Sequence, residues 1–417
     1  MKPKEPEKPE VFAIRRGTSG WELSRRSLFS AAAAAVAAAP KRAEAAVCSA
    51  ARPHISYVDS LAFSPDGKLL VSSGYDTKVK LWSMPDGAHL KTLAGHSSFV
   101  WGVAISPNGR LLASGSSDNS DRSIRLWSLP DGGLVKTLPG GFIVETVAIS
   151  PDGQMLVSGD FDKTIKLWSL PDGALVKALT GHTAPVMSVA ISPDGRLLAS
   201  GSDDKTVKLW SLPDGGLLKT LTGHTSYVWG GVAISPDGRI LASGSDDLTI
   251  KLWSLPDGAM LRTISGHTKS VMSVAISPDG RFLASGAQDF TVRLWSLPDG
   301  ALLKTLTGHT DRVRCVAISP DGRLLASGSE DNSIRLWSLP DGKQLPVCLM
   351  DPVASSCSSS ARYTIDGVDY AVPCGTPIPA AAVCTCNCVP GSATSGCSGG
   401  GGGGGCSCVP VTYYYPN

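Results

Sequence analysis

The stretch Gly266-His267-Thr268-Lys269-Ser270-Val271-Met272-Ser273-Val274-Ala275-Ile276-Ser277-Pro278-Asp279-Gly280-Arg281-Phe282-Leu283-Ala284-Ser285-Gly286-Ala287-Gln288-Asp289-Phe290-Thr291-Val292-Arg293-Leu294-Trp295-Ser296 is one copy of a unit that recurs seven times. Its Leu-Trp-Ser mark falls at Trp82, Trp127, Trp168, Trp210, Trp253, Trp295 and Trp337, at spacings of 45, 41, 42, 43, 42 and 42 residues. A period in this range marks a repeat array, to be read before any local motif. Within the unit, residues 271–277 are apolar and rich in β-branched side chains, which predicts a strand. Ser-Pro-Asp-Gly predicts a tight turn, because Pro fixes φ and Gly accepts φ > 0. Residues 281–287, 291–296 and 301–306 read as three more strands, separated by Gln288-Asp289-Phe290 and by Leu297-Pro298-Asp299-Gly300. The unit is a four-stranded antiparallel meander. Both of its faces are largely apolar, so it is covered only when units stack radially and close into a ring.

These residues resemble the WD-repeat β-propeller family over residues 53–350. The resemblance implies an all-β, seven-bladed propeller of four-stranded antiparallel blades. The family's Gly-His pair stands at Gly95-His96, Gly181-His182, Gly223-His224, Gly266-His267 and Gly308-His309. Its turn Asp is present seven times, at Asp76, Asp121, Asp162, Asp204, Asp247, Asp289 and Asp331. The strand-two serines are Ser72, Ser114, Ser158, Ser200, Ser243, Ser285 and Ser327. In the family, His, Ser, Asp and Trp form a hydrogen-bonded chain that ties loops to strands. The resemblance therefore implies structural tetrads at His96/Ser114/Asp121/Trp127, His182/Ser200/Asp204/Trp210, His224/Ser243/Asp247/Trp253, His267/Ser285/Asp289/Trp295 and His309/Ser327/Asp331/Trp337. A group repeated in nearly every blade is a structural device and not a catalytic triad, which needs one exposed nucleophile and one oxyanion hole. No catalytic residue is assigned.

The chain departs from the family pattern in several places. Ser follows every repeat Trp where the family has Asp. Repeat one has Pro53-His54 for Gly-His, and repeat three has Pro139-Gly140 and no His. Repeat two carries three extra residues around Asn119-Ser120-Asp121, and repeat five an extra Gly at Gly230-Gly231. These are changes on the scale of a loop or a bulge.

The net charge of +2, from 38 basic and 36 acidic residues, points to neither nucleic acid nor an anionic membrane. The Lys or Arg that precedes each Leu-Trp reads as a blade-surface charge. Ser24-Arg25-Arg26-Ser27 leads into the Ala-rich run 31–39, then Lys41-Arg42 and Ala43-Glu44-Ala45. A positive region, an apolar run and a small-x-small site predict an export signal over 1–45. The paired arginines resemble the twin-arginine class. The run falls short of the roughly twenty residues that span a bilayer. The predicted location is outside the cytoplasmic membrane, as a periplasmic, cell-surface or extracellular monomer. Residues 46–52 would link to the propeller, and 46–49 would be able to lie beside the last blade, bringing Cys48 towards Cys348.

Residues 351–417 form a Cys/Gly-rich tail, expected to be disordered or loosely structured. Together with Cys348 it holds nine of the eleven cysteines. It contains two copies of Cys-x-Cys-Val-Pro and a Gly399–Gly405 linker. In an oxidising compartment these cysteines read as disulfides. Cys384, Cys386, Cys388, Cys406 and Cys408 are the alternative metal ligands, although their Cys-x-Cys spacing differs from common zinc sites. No cofactor is expected. A hairpin is predicted around Asp366-Gly367.

Where the repeats agree we read fold, and where they differ on one face we read recognition. The residue after the first strand's Val is Asp59, Trp101, Glu145, Met187, Trp229, Met272 or Arg314. In the family this position lines the channel rim on the face of the His and Asp loops. The residue before the turn Asp varies too: Tyr75, Ser120, Phe161, Asp203, Asp246, Gln288, Glu330. With Tyr57, Phe99 and Tyr227, these predict a surface for a protein or peptide partner. The expected function is a non-catalytic binding scaffold using that rim. One alternative is a metal-binding or redox protein acting through the tail. The other is a propeller lyase or hydrolase with Asp59 and Glu145 in the channel. An exported chain is expected to show an intact mass beginning near Ala46, shifting on alkylation only after reduction; retention of residues 1–45 with free thiols removes both expectations.

Overall fold

The computed structural model describes residues 53–116, 121–345, 347 and 349, together with the backbone of seven strands outside this range. The chain forms seven four-stranded antiparallel sheets, each with its strands in sequence order. The blade quoted above consists of Val271–Ile276, Phe282–Ala287, Val292–Ser296 and Leu302–Leu306, as its period-two patterning requires. The first strands of successive blades pack against one another around a central channel, and Val313–Ile318 of blade seven meets Val58–Phe63 of blade one. Four strands run antiparallel, so all Ser-Pro-Asp-Gly and Leu-Pro-Asp-Gly turns gather at one end of the channel. The Asp turns and the His segments gather at the other.

The core lies between blades and not within them. Ala242, Ile250, Leu252 and Ile264 of blade five bury against Val271, Val274, Leu283 and Trp295 of blade six. Each such Leu, Ile or Val contributes about 1.5–3 kcal/mol by leaving water. The same layer recurs around the ring and closes between Ile334 and Leu336 of blade seven and Leu70, Trp82 and Met84 of blade one. A second ring runs through the first turns. A Cβ added at Gly280, whose φ is +69°, would lie 3.9 Å from Pro236 Cδ of the preceding blade. The matching distance from Gly67 to Pro320 is 3.8 Å, so the turns interlock without a gap between blades seven and one.

Blade seven supplies its own outer strand, Lys343–Gln344, pairing Ser338 with Lys343 and Trp337 with Gln344. Leu345, Val347 and Leu349 then join the layer that holds Trp82 and Met84 of blade one. Residues 46–49 and the Cys48–Cys348 pairing lie outside the described residues. So do the side chains of the export signal and of the tail cysteines, and Ser120. In the N-terminal unit, Ala13–Gly17 pairs with Gly20–Ser24. In the tail, Ala361–Ile365 pairs with Val368–Val372, with Ile365 opposite Val368, and Asp366-Gly367 between them lie outside the described residues.

The predicted tetrads form. In blade six, Ser285 Oγ donates to His267 Nε2 at 2.7 Å and accepts from Trp295 Nε1 at 2.8 Å, while His267 Nδ1 lies 2.8 Å from Asp289. Blade one completes the same chain despite lacking the Gly, because His54 reaches Ser72 at 2.7 Å and Asp76 at 2.8 Å. Blade three does not. There Trp168 still donates to Ser158 at 3.1 Å, and Lys166 takes over the loop contacts. Its ammonium donates to Gly140 O at 2.9 Å, to Asp162 at 3.0 Å and to the buried Asp160.

Lys166 also corrects the reading of the repeat cations as surface charges. Lys80, Lys208 and Lys251 at this position are buried. Their ammonium groups donate to Pro53 O at 2.8 Å, Thr220 Oγ1 at 2.8 Å and Thr263 Oγ1 at 2.9 Å. The third strand is covered by the outer strand on one side and by the loop on the other, so a long stem lies inside and its head bonds locally. Because Ser285 satisfies two buried partners, Ser285→Ala is expected to lower unfolding free energy by about 2–4 kcal/mol in urea titration. The half-exposed Ser296→Ala is expected to change it by less than about 0.5 kcal/mol.

Candidate binding face and channel mouth

Six of the seven variable residues of the first strand share a backbone device that sequence alone did not disclose. In blade one, Val58 pairs with Gly74 and Ser60 with Ser73, leaving Asp59 as the extra residue of a bulge. The same shift frees Trp101, Glu145, Met187, Met272 and Arg314. A bulge re-aims the side chain of its extra residue. Here it turns all of them into one channel cavity of about 180 Å³, which Trp229 also lines. In blade five the first strand begins only at Val232, after the inserted glycine, and Trp229 precedes it. A Cβ on Gly230 would lie 2.5 Å from Val271 O, so only glycine lets the neighbouring inner strand pass.

The expected rim set therefore splits into two tiers. Tyr57, Phe99, Phe161 and Tyr227 are exposed, at 38%, 38%, 44% and 41% of their surface. Asp59, Trp101, Glu145, Met187, Trp229, Met272 and Arg314 lie deeper, lining the cavity, with Asp59 and Glu145 buried. The exposed tier is aromatic and clustered. Tyr75 stacks on Phe99 at 4.3 Å between ring centroids, with Tyr57 at 5.1 Å and Trp101 at 5.4 Å. Tyr227 stacks on Trp229 at 5.4 Å, and Phe142 on Phe161 at 6.4 Å. Phe142, 36% exposed, was missed from the sequence because it stands in the repeat that lacks its His.

The two variable columns also pair with each other. Arg314 donates to Asp59, and to Glu330 at 2.9 Å. Its guanidinium lies 5.6 Å from the Tyr75 ring centre and 5.3 Å from that of Trp101. Trp229 donates to Asp203, and Gln288 Nε2 to Met272 Sδ at 3.4 Å. Asp246 accepts from Ser226 at 2.9 Å and from Ser270. Arg314 is thus an internal tie across the ring closure, not a free anchor. The opposite charges in columns one blade apart were the signal for this pairing. Outside the channel, the outer strands expose Leu90, Val135, Val176, Leu218, Leu261 and Leu303, each the extra residue of an edge bulge. Such bulges block strand addition at an open edge.

Burial pushes Asp59 up to about 6 against the pull of Arg314. Burial also pushes Glu145 up to about 7, helped by Asp59 and Asp203 and opposed by Arg314. The tetrad carboxyls go the other way. Burial disfavours ionised Asp289, but hydrogen bonds from His267, Thr291 and the Thr268 amide outweigh it and hold the group well below the usual range. Among the described residues no group of three or more His, Cys, Asp or Glu is disposed to hold a metal ion. No described helix is long and apolar enough to cross a membrane.

Seven radially stacked four-stranded blades, six of them tied by His–Ser–Trp chains, around a lined channel define a seven-bladed β-propeller. The model of the WD domain, G-beta repeat matches seven segments, 48–83, 87–128, 132–169, 173–211, 215–254, 258–296 and 300–338, and the chain belongs to that family. It is similar to the 26S proteasome regulatory subunit RPN14 of Saccharomyces cerevisiae, at 44% identity over 43 residues, 10% of each chain. It is equally similar to the small ribosomal subunit protein RACK1 of Caenorhabditis elegans, at 44% over 43 residues, 10% of this chain and 13% of that one. Each match is the length of one repeat, so the chain spans about a tenth of either relative.

The opposed carboxyl shifts predict two pH effects. The tetrad carboxyls are depressed in the folded state, so their stabilisation is present above the unfolded value near 4 and is lost as pH falls below it. Chemical unfolding is expected to show a steep loss of stability below about pH 4. Glu145 is raised, so it destabilises the fold fully above about 7 and not at all below its ordinary 4.5. Glu145→Gln is expected to raise unfolding free energy by about 1–2 kcal/mol at pH 8, with the gain vanishing at pH 4.

Proposed function

We propose that this chain is a non-catalytic binding platform whose partner, a protein or peptide, docks on the face of the His and Asp loops. The observation that carries this reading is the asymmetry between the two ends of the channel. One end exposes Tyr57, Phe99, Phe142, Phe161 and Tyr227 in clusters. The other repeats one polar turn, in which Ser277 Oγ donates to Asp279 at 2.5 Å and the Arg281 amide donates to the same carboxylate at 3.1 Å. Large aromatic groups gathered on an exposed face are the composition of an interaction surface. Identical polar turns offer nothing by which one partner would be selected. The two relatives are by name a proteasome regulatory subunit and a small ribosomal subunit protein, each a part of a larger assembly, which accords with a role in protein association here.

We read the channel carboxylates as recognition groups and not as an acid–base pair, since Arg314 engages Asp59 and no His lines the cavity with them. Export across the cytoplasmic membrane is part of the same proposal, resting on the Arg25-Arg26 region, the Ala-rich run and the small-x-small site. A photocrosslinking residue at Phe99 is expected to yield a discrete adduct in the native host, and one at Asp279 none. Phe99→Ala with Tyr227→Ala is expected to cut capture of that adduct's partner by at least about tenfold, with an unchanged melting curve. Equal adducts from both faces would remove the assignment.

A further inference from the structure

We propose that the channel mouth is a receptor for one cationic group, an alkylammonium or a guanidinium, with Glu145 as its counter-charge and Trp101 and Trp229 as its walls. Arg314 shows what the mouth accepts, because it is a guanidinium already seated there. It uses Asp59 Oδ1, Glu330 and the faces of Tyr75 and Trp101. That leaves acceptors unused. Glu145 lines the cavity, is only 9% exposed, and has no hydrogen-bond or ion-pair partner among the described residues. Asp59 Oδ2 is a buried acceptor without a partner as well.

An unpaired carboxylate inside a cavity is costly and is retained only where something relieves it. Asp59, Asp203 and Asp160 act on Glu145 with the same sign, and Arg314 with the opposite one. An anion is therefore repelled and a cation attracted. The indole and thioether walls suit the methylene stem and the π-facing edge of such a group. A cavity of about 180 Å³ holds one head group with a short stem, not a folded ligand. The binding form of Glu145 is the deprotonated one. Burial pushes it up to about 7, so affinity should rise as pH passes upward through that value.

The site itself does not depend on the docking face. Only the source of the cation rests on the function proposed above, so small probes separate the two readings. Calorimetric titration of the full chain at pH 8 with n-butylguanidinium is expected to show saturable one-to-one binding, and with neutral n-butylurea none. Glu145→Gln, or a drop to pH 6, is expected to weaken binding by about tenfold. Met187→Lys, which sets an internal ammonium in the same cavity, is expected to abolish it. Equal binding of the urea, indifference to Glu145→Gln, or no binding of the guanidinium to the unmodified chain would each overturn the proposal. A blocked Ala-Ala-Arg-Ala-Ala peptide binding more tightly than n-butylguanidinium assigns the cation to a partner's side chain. The reverse order assigns it to a free small amine. Loss of crosslinking at Phe99 with retained guanidinium binding would remove the platform and leave the receptor.

Discussion

A blade of this chain is apolar on both faces, and everything else in the structure answers to that constraint. Trp295, Leu283 and Val274 cannot be covered by their own sheet, so they are covered by Ile250, Leu252 and Ile264 of the blade before. Once each layer needs a neighbour, the array is stable only as a closed ring. The closure between blades seven and one therefore repeats the ordinary interface. It adds to it a short outer strand and the clasp of Val347 and Leu349 on blade one.

The serine of each second strand is the second requirement. It stands between a histidine from the loop and an indole from the third strand, and both of those groups are buried. Burial of the network strengthens its bonds and makes each unmade bond expensive. Blade three departs from the pattern and still satisfies its loop, because Lys166 reaches Gly140 O and two carboxylates from the third strand. That substitution conserves the tie between loop and sheet while changing its chemistry.

The channel mouth is where regularity is given up. Six of the seven inner strands carry one bulge, and each bulge sends one non-repeating side chain into the channel, where Trp229 of blade five joins them. The repeats supply a rigid frame, and the inner strands supply seven independent choices at one mouth. Buried acids at that mouth oppose stability at neutral pH, while the tetrad acids favour it. The channel carboxylates and the tetrad carboxylates thus act in opposite directions on stability.

The sequence by itself determined the number of blades, their strand order, their turns and the tetrads. These depend on period-two patterning, on Pro and Gly at fixed offsets and on residues that recur at one spacing. It also marked the column that meets in the channel, since Asp59, Trp101 and Glu145 differ where their neighbours do not. It did not place those side chains within the mouth rather than on its rim, because a bulge is a relation between two strands and leaves no mark in one. It did not pair Arg314 with Asp59, which lie 255 positions apart and meet only where the ring closes. Nor did it bury Lys80, Lys208 and Lys251, whose ammonium groups bond to the Pro53 segment and to outer-strand threonines of the same blade. What local patterning encodes was legible from the chain. What depends on which blade stands beside which was decided by closing the ring.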